Sequence, residues 1–70
     1  MANVTIPMPG KILTISAKVG QAVKKNDVLF ILEAMKMQND MIAPADGTIK
    51  EINVHEGQSV KQGDVAMVLE

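Results

Sequence analysis

One lysine of the seven stands apart by its neighbours: Lys36 sits between two methionines in the segment Glu33-Ala34-Met35-Lys36-Met37. A primary amine on a flexible four-carbon stem can be acylated, and a group attached there swings with the stem. The same amine can equally be a solvated charge that blunts a β edge, so residue type alone leaves both roles open. Met35 and Met37 divide the same way, between core filling, the common use of methionine, and an adaptable apolar contact surface. Other chemistry is thinly provided. His55 has no second histidine and no cysteine with which to share a metal, and reads as a solvated surface residue. No serine has a base and an orienting carboxylate at a recognisable spacing. Gly20, Gly57 and Gly63 lie at turn signals without the strand-to-helix context of a phosphate loop. Glu33 and Asp40 flank the lysine segment and read as solubilising charges.

The elements that must position Lys36 are bounded by size. Seventy residues, 47% hydrophobic but with Phe30 as the one aromatic, make a single domain spanning residues 1–70. Such a chain buries about 60% of its unfolded surface, which leaves a thin core and little room for a closed substrate cavity. Seven basic against eight acidic residues give a formal net charge of -1. With no aromatic platform for bases, nucleic-acid binding is disfavoured. Cysteine is absent, so packing alone must stabilise the fold, and nothing points to an oxidising compartment. The longest apolar run, Val28 to Leu32, is far short of the ~20 residues that span a bilayer. The expectation is a cytoplasmic chain without direct membrane contact.

Sliding the chain against itself exposes an internal repeat. At an offset of 37, residues 4–33 overlie 41–70 with twelve identities in thirty pairs, among them Pro7/Pro44, Gly10/Gly47, Gln21/Gln58, Asp27/Asp64 and Glu33/Glu70. Typical residue usage would give roughly two by chance. Matching turn residues imply a shared backbone and hence a pseudo-two-fold. Residues 34–40 belong to neither copy and form the linker between them. Because Glu33 is equivalent to Glu70, this linker is expected to lie opposite the chain end.

Short Val- and Ile-rich blocks separated by Pro-Gly, Val-Gly, Asn-Asp, Asp-Gly, Glu-Gly and Gly-Asp signals read as many short strands. Leu29 to Gln38 favours helix by composition, but Ala66 to Glu70, equivalent to its first half, lies in a Val-rich strand pattern. The repeat therefore predicts a strand over Val28 to Ala34, a tight turn at Met35-Lys36 and a strand over Met37 to Ile42. The architecture expected is all-β: a flattened barrel or sandwich of two pseudo-two-fold-related four-strand halves sharing one core. A two-residue hairpin loop of this kind favours Asn-Gly or Asp-Gly, because both central residues take positive φ. Met35 and Lys36 break that rule, and such violations concentrate at functional sites.

Glu33-Ala34-Met35-Lys36-Met37, with Pro7-Met8-Pro9-Gly10 upstream and Ala43-Pro44-Ala45-Asp46-Gly47 downstream, resembles the biotinyl (biotin carboxyl carrier) domain of biotin-dependent carboxylases and decarboxylases. The likeness covers essentially the whole chain. It implies that Lys36 carries biotin in amide linkage through its ε-amine, with Ala34, Met35 and Met37 as the flanking recognition motif. It also implies a non-catalytic carrier that a biotin protein ligase modifies. The carrier would then serve biotin carboxylase and carboxyltransferase or decarboxylase partners, moving a carboxyl group between their active sites. A lipoyl carrier of the dehydrogenase complexes is the first rival, with the same fold but usually Asp before and Ala after the lysine. An unmodified β-domain acting as a scaffold is the second. Which acyl substrate is served, and whether the chain is a free subunit or part of a longer enzyme, is not encoded in these residues.

Overall fold

The Val- and Ile-rich blocks form eight strands in the computed structural model, which describes residues 1–70. These are β1 (Ala2–Thr5), β2 (Gly10–Ile15), β3 (Ala22–Val23), β4 (Val28–Ala34), β5 (Met37–Ile42), β6 (Gly47–Ile52), β7 (Ser59–Val60) and β8 (Val65–Leu69). They build two four-stranded sheets, ordered β1-β8-β6-β3 and β5-β4-β2-β7, with every neighbouring pair antiparallel. The segment that favours helix by composition is strand, turn and strand, as the repeat requires.

Advancing each strand by four converts the first sheet order into the second, so the pseudo-two-fold of the sequence is the symmetry of the fold. The repeat halves do not form one sheet each. Each sheet takes two strands from either half, which ties the copies together through backbone ladders as well as through the core. The identical pairs explain how the turns repeat. Lys18 N and His55 N donate to Gln21 Oε1 and Gln58 Oε1 at 3.0 and 3.1 Å. Lys24 N and Lys61 N donate to Asp27 Oδ2 and Asp64 Oδ2 at 2.9 and 3.0 Å. These side chains satisfy turn amides that the short strands leave unpaired. Gly20 N donates to Ile49 O and Gly57 N to Ile12 O, so each half closes on the other.

Four ladder irregularities, two in each repeat, explain why apolar residues fall in blocks instead of strict alternation. Register shifts skip Leu29 between Val28 and Phe30, and Ala66 between its neighbours opposite β1. An extra residue at a bulge returns two consecutive side chains to one face. Leu29 and Phe30 are therefore both buried, as are Ala66 and Met67 at the equivalent places. The core comprises sixteen apolar residues from both halves, with no buried polar or charged residue among them. Phe30 is the largest of these side chains, and its repeat equivalent is the fully buried Met67. A domain of this size has only about 4–10 kcal/mol of stability. Phe30→Ala should cost about 3–5 kcal/mol, a large fraction of that stability. Phe30→Met, which copies the other half, should cost less than about 1.5 kcal/mol in urea titrations followed by circular dichroism.

Candidate functional site

β4 and β5 pair from Val28↔Ile42 through Ala34↔Met37, leaving Met35 and Lys36 as the two central residues of the connection. Their φ angles are 54° and 64°. Positive φ at both positions is the mark of the type I′ turn, whose twist matches that of the flanking strands. For residues other than glycine this conformation costs about 1–2 kcal/mol each. Long paired strands hold the turn in spite of that cost, and the geometry fixes where Lys36 points. All seven lysines are exposed, but Lys36 alone sits at the apex of such a turn.

The four residues singled out in the sequence are split by the fold. Ala34 is buried, so its methyl group anchors the base of the hairpin. Met35 and Met37 are 85% and 65% exposed, among the most exposed large apolar side chains of the chain. They do not fill the core, and they put apolar surface on both sides of the lysine. Glu33 and Asp40, on the two strands, are also exposed. His55 is exposed and donates its backbone amide to Gln58. No group of three or more His, Cys, Asp or Glu side chains is placed to hold a metal ion.

Asn39 is a contributor that the sequence reading missed. It pairs with Leu32 in the ladder and is half-buried. Its Nδ2 donates to the carbonyls of Leu32, at 3.4 Å, and Met37, at 3.3 Å, and so braces the start of β5 against β4. The available signal was an asparagine within a strand, where that residue is depleted. Beside the hairpin a shallow open groove runs along Pro9, Gly10, Lys11, Glu33 and Ser59 to the turn. It is too open to enclose a substrate. The arrangement offers an exposed lysine at the apex of a turn held by paired strands.

A family model described as biotin-requiring enzyme matches residues 2–69. The gamma subunit of methylmalonyl-CoA decarboxylase from Veillonella parvula is 61% identical over 44 residues, which are 63% of this chain and 34% of that protein. The biotin carboxyl carrier protein of Streptococcus mutans is 54% identical over 37 residues, 53% of this chain and 28% of that protein. The chain therefore spans about a third of the length of these curated relatives. The lipoyl domain of the Azotobacter vinelandii 2-oxoglutarate dehydrogenase complex superposes with a TM-score of 0.79 at 29% identity, covering 96% of this chain and 95% of that one. The architecture is thus common to domains named for different prosthetic groups, and the residues around Lys36 must discriminate.

The strained turn makes a stability prediction. Met35→Gly should leave stability unchanged or raise it by up to about 1 kcal/mol, because glycine adopts positive φ freely. Met35→Val, β-branched at φ 54°, should lower it by about 1–2 kcal/mol. Urea midpoints of the two variants check both.

Proposed function

We propose, from the premise that the chain belongs to the biotin/lipoyl attachment family, that it is a biotin carboxyl carrier domain modified on Lys36. The observation that carries the reading is Lys36 at the apex of a two-residue turn with Met35 and Met37 exposed on either side. Biotin held by Lys36 would supply a ureido nitrogen able to take up and give back a carboxyl group. The fit rests on this chain's own residues. The amine is exposed, no buried side chain competes for it, and the turn that bears it is braced by six ladder pairs.

Each residue then has a physical task. The Lys36 Nζ would hold biotin in amide linkage: after losing a proton the amine would attack a biotin carboxyl that a biotin protein ligase activates at the expense of ATP, and the activating group would leave as the C–N bond forms. The four methylenes of Lys36 give reach, while β4 and β5 keep the attachment point fixed relative to the body of the domain. Ala34 locks the hairpin base, and Met35 and Met37 present a small apolar collar to whichever active site the tip enters. The carrier contributes delivery: a tether turns a bimolecular encounter into a local search at effective concentrations around millimolar. Catalysis belongs to partner subunits or domains, a biotin carboxylase with a carboxyltransferase, or a decarboxylase. The likeness to a decarboxylase gamma subunit and to a biotin carboxyl carrier protein supports that class of partner. The lipoyl alternative has an equal claim on the fold but expects Asp before the lysine, where this chain has Met35.

Lys36→Arg should keep the fold, with a change within about 0.5 kcal/mol as for other surface substitutions. The same variant should lose all streptavidin binding after coexpression with a biotin ligase; retained binding contradicts the assignment. Replacing Met35 and Met37 together by Leu should leave biotinylation in place and slow carboxyl transfer several-fold. Unchanged rates of both steps would contradict a role for the two methionines in docking.

A further inference from the structure

Gly10 and Gly47 occupy equivalent places in the repeat, and neither has positive φ. Glycine is therefore not needed there for its backbone freedom. Space is the reason. A Cβ on Gly10 would lie far inside van der Waals contact of the Glu33 carbonyl oxygen, 3.0 Å from Leu32 Cδ1 and 3.2 Å from Ala34 Cβ. The most severe of these collisions is with backbone, which cannot rotate out of the way as a side chain can. Ala34, the residue before the turn, is itself buried and has little room to yield.

The register shows what that contact supports. Lys11 pairs with Glu33, so Gly10 lies across from the very end of β4, one residue before Met35 and two before Lys36. On its other side Gly10 pairs with Val60 of β7. It is thus wedged between β4 and β7, and only a residue without a side chain lets β2 approach the hairpin base so closely. The pseudo-two-fold supplies an equivalent glycine for comparison. A Cβ on Gly47 would meet the backbone oxygen of Glu70 at 2.9 Å, at the symmetry-related end of β8, but its next neighbours, Leu69 Cβ at 3.6 Å and Glu70 C at 3.8 Å, are at ordinary contact distance, so the equivalent site is looser and lies away from the Lys36 turn.

We infer that Gly10 is a positioning residue for Lys36: close packing of the Gly10 backbone against the Glu33–Ala34 end of β4 sets the direction in which the turn presents its amine. Gly10 touches neither the amine nor any group attached to it. Its influence passes through two residues of strand into a turn already held in an unfavourable conformation. A shift of about 1 Å at an attachment point is enough to change a reaction rate by up to 10²-fold. The consequence for modification rests on Lys36 being the biotinylated residue; the consequence for turn geometry does not.

The test compares the 70-residue chain with Gly10→Ala and Gly47→Ala variants. Three readouts are needed: thermal midpoint, amide chemical shifts of Met35 and Lys36, and kcat and KM for biotinylation by a biotin protein ligase. Both variants should lose stability, Gly10→Ala the more. Only Gly10→Ala should move the Met35 and Lys36 amide signals, and only it should lower kcat/KM for modification, by about ten- to hundredfold. Gly47→Ala should stay within about twofold of the parent rate. If Gly10→Ala is unfolded in buffer, the same comparison in a stabilising osmolyte, which favours burial, restores the fold and keeps the test decisive. Modification of Gly10→Ala at the parent rate with unmoved turn signals overturns the inference. So does an equal loss in both variants, which would assign the effect to general destabilisation. Failure of the unsubstituted chain to accept biotin would instead overturn the carrier reading, while the amide shifts would still decide the geometric claim.

Discussion

Holding Met35 and Lys36 at φ of 54° and 64° costs about 1–2 kcal/mol each relative to ordinary backbone, and the rest of the domain is organised to offset it. β4 and β5 contribute six ladder pairs directly below the turn. Ala34 is sealed into the core at its base, and Asn39 bridges the two strands with its side-chain amide. The inner side of β4 carries Leu29, Phe30 and Leu32, all fully buried, so the hairpin cannot relax without disturbing the centre of the core. Strain of this kind persists only where the surroundings over-determine it. The result is a lysine whose backbone is held by its surroundings and whose side chain is exposed.

Duplication makes so small a base sufficient. With seventy residues, no disulfide and one aromatic side chain, stability must come from packing that wastes no buried position. Interleaving the halves means that four of the six ladders, β1 with β8, β3 with β6, β2 with β7 and β4 with β5, join a strand of one half to a strand of the other. The symmetry is followed into details: Asn26 takes φ 79° where Gly63 takes φ 91°, and paired Gln and Asp side chains cap paired turns. It is broken where the copies differ in sequence. Glu56 accepts the amide of Ile15 through Oε2 at 3.0 Å, whereas its counterpart is the exposed Val19. The largest break is the linker itself, since only one of the two equivalent strand ends runs on into a turn bearing a lysine.

Much of this was legible in the residues. The 37-residue offset identified Leu29 to Gln38 as strand and turn against its helical composition, because Ala66 to Glu70 could not be helical. The clash between turn chemistry and the identities of Met35 and Lys36 pointed to positive φ at both. Interleaving was not legible, because a repeat states that two halves are alike without stating whether they stack or exchange strands. The bulges at Leu29 and Ala66 were hidden for a different reason: a block of apolar residues reads the same whether a strand is buried on both faces or kinked. Asn39 and the spatial role of Gly10 depend on contacts between strands, which linear spacing does not report. A glycine chosen for closeness looks the same in a sequence as one chosen for its dihedral angles.

We propose that this fold presents one amine for modification and delivery. Intact mass of the chain expressed with a biotin protein ligase and free biotin, followed by fragmentation to locate any addition, tests it most directly. A single biotinyl addition on Lys36, and none on the other six lysines, is the expected result. An unmodified mass, a lipoyl addition, or biotin attached elsewhere in the chain would contradict it.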